Sequence, residues 1–197
     1  MQYRSRAIGV IAGYESFADK TPSDEFFATI AALLQGSERV HEAGELLAEA
    51  ASAAAGRHEA LAALWFIRAA VLFDAAGGER SLYEKVLLPR ARDILQGIIS
   101  GTHDARMDDG ALLDLADAPD ARVRLNALWY SALETVGAAL HKRRDPGGDH
   151  FQRLTGRFRR AFAKAYWCDE HGGVCAPRAP DAVNHGDLAA DQVLLAV

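Results

Sequence analysis

Carboxylates, aromatic rings and two cysteines are the side chains of this chain whose types and spacing bear on chemistry. Asp108, Asp109, Asp114, Asp117 and Asp120 crowd into one polar stretch. Such a carboxyl group works as a general acid when a second carboxylate divides the roles with it; without a partner it is a solvated loop residue. Trp65, Trp129 and Tyr130 offer flat rings on which a sugar stacks or around which a core packs. Helical spacing favours the core for Trp65. Trp129 and Tyr130 project in different directions, so both readings stand for that pair. Cys168 and Cys175 flank His171, with His185 further on, but the six residues between the cysteines exceed the tight spacing of a zinc site. Gly9 and Gly13 form no phosphate-binding fingerprint. His58, His103 and His150 stand singly and build no Ser-His-Asp grouping in one dimension. No metal and no cofactor is expected.

The elements that position these groups read as helices. Thr21-Pro22-Ser23-Asp24 is a helix start, with a hydroxyl cap and proline at the first helical position, and the helix runs through Phe26, Phe27, Ile30 and Leu34 to Gly36. A second helix, about 38–55, carries an apolar stripe and one wet face. A third, about 58–76, is apolar nearly all round, which predicts burial, and Gly77-Gly78 ends it. Ser81-Leu82-Tyr83-Glu84 has capping-box spacing, and Pro89 predicts a break or kink near Leu88 before continuation to about Ser100. Residues 101–120 read as a polar loop rich in Asp and Gly. A helix over about 122–143 follows, and Asp145-Pro146-Gly147-Gly148 reads as a turn. The next helix, about 149–167, sets Phe151, Leu154, Phe158 and Phe162 against Arg153, Arg157, Arg160 and Lys164, an arginine-rich face of the solvated kind. A last helix is expected over 188–197.

Composition agrees with an all-α fold of stacked helical hairpins. Half of the 197 residues are hydrophobic, prolines number six, and no long alternation suggests a sheet. Helices with one wet face interleave with helices that have almost none, as a two-layer helical array requires. The net charge of -5 excludes general recruitment to nucleic acid or anionic membrane. No apolar run of about 18 residues is present to span a bilayer. The basic start precedes an apolar segment too short for a secretory signal, so a cytoplasmic setting is expected.

Four segments in order resemble the amylo-α-1,6-glucosidase family, the C-terminal glucosidase domain of glycogen debranching enzymes. IAGYESFADKTPSDEFF, residues 11–27, resembles the family's AGYPWFxDWGRDT entrance. LWFIRAAVLFDAAGG, residues 64–78, resembles its ASLWFIHAV helix. VRLNALWYSAL, residues 123–133, is close to VEINALWYNAL and carries most of the weight. FAKAYWCDEHGGVCA, residues 162–176, resembles a Phe-Trp-turn-Gly pattern, and ADQVLLAV follows where the family has Arg-Pro-Asn-Gln.

The resemblance implies one domain over 1–197, similar to the N-terminal part of an (α/α)6 barrel, and a role in glycogen or α-glucan catabolism. It implies Asp117, in Leu115-Ala116-Asp117-Ala118, as the match to the presumed acid of the family's Trp-Met-Asp-Ala motif. Phe17, Asp19, Asn126, Trp129, Tyr130 and Gln192 are the implied sugar-binding positions. Glycosidases use two carboxyl groups, and several polar positions have changed. Lys20-Thr21-Pro22-Ser23 stands for Trp-Gly-Arg-Asp, Arg124 replaces a glutamate, and Ala189-Ala190-Asp191-Gln192 keeps one residue of Arg-Pro-Asn-Gln. About seven helices stand against the barrel's twelve. The expectation is therefore a family member incomplete or inactive as a catalyst on its own. The expected partner is α-glucan or glycogen, with a homodimer or another partner covering an exposed apolar face. The alternative is a non-catalytic glucan-binding or helical protein-interaction module.

Overall fold

The computed structural model describes residues 23–36, 39–53, 59–116, 121–168 and 173–174. The chain is mostly helical, in agreement with the all-α expectation. It divides into two compact units, Met1–His103 and Asp104–Val197.

In the first unit, α1 spans Asp24–Gly36, α2 Val40–Ala53 and α3 Ala60–Ala75. The cap of α1 is Ser23, whose Oγ accepts the Phe26 N–H at 3.3 Å, two residues after Thr21, the cap expected from sequence, which lies outside the described residues. Helix α1 lays Phe26, Phe27 and Ile30 into the core, each burial contributing about 1.5–3 kcal/mol. The Phe27 and Phe66 rings meet edge to face at 5.5 Å, which ties α1 to α3. Gly77 ends α3 at φ +79, and the Gly78 N–H reaches back to the Phe73 carbonyl at 2.9 Å. That geometry suits glycine because it carries no Cβ.

The following helix, α4, is one continuous rod in three stretches: Arg80–Leu82, a π-helical Tyr83–Leu87, and Leu88–Ile99. One expectation is corrected here and another is met in part. The capping box does not form: Ser81 Oγ donates to Glu79, and Glu84 pairs instead with Arg80 at 2.8 Å, four residues back. Pro89 does not break the helix. Proline lacks an N–H and its ring crowds the carbonyl four residues earlier. The turn before it widens so that the Leu88 N–H reaches the Tyr83 carbonyl, and the rod continues.

In the second unit, β1 (Arg106–Met107) pairs antiparallel with β2 (Leu113–Asp114), α5 spans Arg122–Lys142, α6 spans Pro146–Tyr166, and β3 (Trp167–Cys168) pairs with β4 (Gly173–Val174). The polar loop expected over 101–120 is thus partly a hairpin. Ala111, Leu113 and Leu115 are buried while Asp114 is exposed, a period of two that the surrounding aspartates obscure. The turn expected at Asp145–Gly148 is instead the first turn of α6. Asp145 Oδ1 accepts the Gly147 N–H at 2.8 Å, and Pro146 occupies the first helical position.

Arg144, at φ +59, closes the end of α5, with the Asp145 N–H on the Leu140 carbonyl at 3.0 Å. Helices α5 and α6 therefore form one tight helical hairpin. Its close approach is at Gly148, where a Cβ would fall 2.5 Å from the His141 backbone nitrogen. Among the described residues the exposed large apolar side chains are Val86 and Trp167, so no exposed apolar face of the kind expected for a homodimer is found among them.

Candidate functional site

The residues with the most specific pattern, Asn126-Ala127-Leu128-Trp129-Tyr130, lie in the first turns of α5. Asn126 is fully buried, and its carboxamide oxygen and both N–H groups are hydrogen-bonded. Oδ1 accepts the Leu113 N–H at 2.8 Å, and Nδ2 donates to the Leu113 carbonyl at 2.8 Å and to the Arg122 carbonyl at 2.9 Å. A side chain thereby takes the place of a neighbouring strand along the outer edge of β2. Trp129 is also fully buried, and its indole N–H donates to the Ala111 carbonyl at 2.9 Å. Two side chains one helical turn apart clamp the hairpin.

The clamped turn is tight. Asp108 N–H donates to the Leu112 carbonyl at 2.9 Å, and Asp108 Oδ1 accepts the Leu112 N–H at 2.8 Å. Ala111 sits at φ +66, in the left-handed region that a residue with a Cβ enters at a cost of about 1 kcal/mol. The tip lies against α6: a Cβ on Gly110 would fall 2.6 Å from that of Ala161, and Arg157 donates to the Asp109 carbonyl.

The pairing register places Arg106 opposite Asp114 and Met107 opposite Leu113. Alternation along β1 then sets Asp108 on the same face as Asp114, away from the Leu113 side that Asn126 holds. This face is polar. Arg122 Nε lies 2.5 Å from Asp114 Oδ1, an ion pair too bent to count as a hydrogen bond. Tyr166, at the end of α6, belongs to the same cluster. Burial pushes its phenol above the ordinary value, the Asp114 and Asp108 charges push the same way, and Arg122 opposes them.

Tyr130 points elsewhere, half-exposed in the groove between α5 and α6. Its hydroxyl accepts from Arg159 Nε at 2.8 Å and Nη2 at 2.6 Å and donates to Glu134 Oε1 at 3.3 Å. Arg159 Nη2 also meets Glu134 at 2.7 Å. The ring packs beside Phe158, which stacks on Phe162, which stacks on Tyr166. Arg159 Cζ stands 5.4 Å from the Tyr130 centroid, reached from the hydroxyl end rather than across the ring face.

Of the positions selected from sequence, Asp117, Phe17, Asp19 and Gln192 lie outside the described residues. Asn126 and Trp129 are brought together, but as the clamp: neither turns a polar group or a ring face to solvent. Tyr130 keeps a half-open ring. Trp65, read as core, is half-buried on α3. His171, Cys175 and His185 are outside the described residues, and among those described no three His, Cys, Asp or Glu groups are placed to hold a metal.

Sequence reasoning passed over Asp108. Arg106-Met107-Asp108-Asp109 contains a Met-Asp pair eighteen residues before Asn126, and that pair was the available signal. No helix among the described residues is long and apolar enough to cross a membrane. The chain matches no protein-family model, no curated protein and no solved structure.

Proposed function

We propose that this chain descends from the amylo-α-1,6-glucosidase family and binds α-glucan, as part of glycogen catabolism, without hydrolysing it. The observation that carries this reading is the clamp. The residues responsible for the resemblance, Asn126 and Trp129, are those that hold the hairpin in place. The held hairpin contains a Met107-Asp108 pair that resembles the Met-Asp of the family's Trp-Met-Asp-Ala acid motif, which offers Asp108 beside Asp117 as a counterpart of that acid. What persists in the sequence is thus what builds the loop.

The same geometry argues against catalysis. Hydrolysis of a glycosidic bond divides work between an acid and a base or nucleophile. Asp108 has one oxygen tied into its own turn, and Asp114 is held by Arg122. The tryptophan before Met107 in the family motif is Arg106 here. A polar face with charged donors and acceptors remains suited to sugar hydroxyls.

Two assays test the reading. On a branched limit dextrin the chain releases no glucose above the blank, and Asp108→Ala changes nothing; release that Asp108→Ala abolishes would overturn the non-catalytic part. In a gel containing glycogen the chain migrates more slowly than a reference protein of similar charge. Equal migration would remove glucan binding and leave a helical interaction module.

A further inference from the structure

Helix α3 is apolar nearly all round, with eight side chains buried, Leu64, Phe66, Ile67 and Phe73 among them. One seam differs. Leu61, Trp65, Arg68 and Leu72 succeed one another at steps of four, three and four residues, which sets them in a line along the helix, and all four are half-buried. Arg68 is the charged member of that line. Among the described residues its guanidinium makes no hydrogen bond and no ion pair.

Burial pushes its pKa below the ordinary arginine value. An arginine keeps its proton in a protein, so the seam carries a partly desolvated positive charge with no partner among the described residues. Holding such a charge costs stability unless something offsets it.

We infer that this seam binds a small organic carboxylate, Arg68 donating to the two carboxylate oxygens while Trp65, Leu61 and Leu72 cover the apolar body. The guanidinium fork matches carboxylate and phosphate alike. The apolar flanks choose between them. A phosphate carries more than one charge at neutral pH and loses more hydration than a carboxylate on entering a half-buried apolar strip. An indole three residues from the guanidinium offers a flat surface to an aliphatic or aromatic body. The inference concerns the first unit and is independent of the glucan reading.

The test uses the full chain, titrated at fixed ionic strength with benzoate, with inorganic phosphate and with chloride. Tryptophan fluorescence and thermal midpoint are the readouts. Benzoate is expected to give a saturable fluorescence change and to raise the midpoint, as a ligand of the folded state does. Arg68→Met, with circular dichroism as a check on folding, should weaken benzoate binding about tenfold or more, the size expected for losing charge-assisted hydrogen bonds. Arg68→Lys, which keeps the charge but not the fork, should fall between. Three results would overturn the inference: no saturable benzoate response from the unaltered chain, unaltered affinity in Arg68→Met or Arg68→Lys, or phosphate bound as tightly as benzoate.

Discussion

Replacing Asn126 by alanine removes both partners of the Leu113 peptide at once. The Leu113 N–H and C=O each bond only modestly in net terms while satisfied, but each is buried against α5, and a buried peptide group without a partner costs about 1–3 kcal/mol. Two such groups give about 2–6 kcal/mol. The Arg122 carbonyl adds little, because it lies in α5, where a backbone N–H four residues on can serve it. For a chain of this size that loss lowers the thermal midpoint by roughly 2–4 °C per kcal/mol. Urea denaturation followed by helical circular dichroism measures the free energy, and near-ultraviolet dichroism reports the environment of Trp129.

Asn126→Leu is the informative companion: it refills the volume and restores no hydrogen bond. If polar satisfaction controls stability, the leucine variant is as weak as the alanine variant. A cost below about 1 kcal/mol for Asn126→Ala, or recovery in Asn126→Leu, would refute the clamp as described.

Further outcomes follow from single positions. Ala111→Val places a β-branched residue at φ +66 in a buried site and should cost about 2 kcal/mol or more, read by urea denaturation. Gly148→Ala forces a Cβ to within 2.5 Å of the His141 backbone, which cannot swing away as a side chain would; about 2–3 kcal/mol should be lost. Tyr166 has its folded pKa raised above 10.0, so the folded state holds the phenol proton longer than the unfolded state does. Stability from this group is intact below pH 10 and falls as pH rises through the folded value, and Tyr166→Phe should lessen that alkaline loss in denaturation curves.

The helices were legible where sequence periodicity and packing agree. The all-round apolar character of α3 matches its eight buried side chains, and the α6 stripe packs against α5 in one hairpin. Errors gathered where two local signals compete. Ser81 lost its capping role because Arg80 sits four residues before Glu84 and takes the carboxylate first. Asp145-Pro146 satisfies both a turn and a helix start, and the cap on Gly147 decides for the helix.

The hairpin at Arg106–Asp114 was hidden because each strand is two residues long, too short for periodicity to register. What holds it is two side chains on another element, Asn126 and Trp129 of α5. For the same reason Asn126 and Trp129 read as ligand-facing positions: a residue pattern that builds a loop and one that contacts a ligand look alike in one dimension. Only burial and the partners of the polar atoms tell them apart.

The central claim, that the clamped hairpin faces α-glucan, is tested most directly by amide chemical shifts of the isotope-labelled full chain titrated with maltoheptaose. Shifts concentrated on residues 106–114 and the first turn of α5 are predicted. No shifts, or shifts confined to residues before His103, would contradict the account.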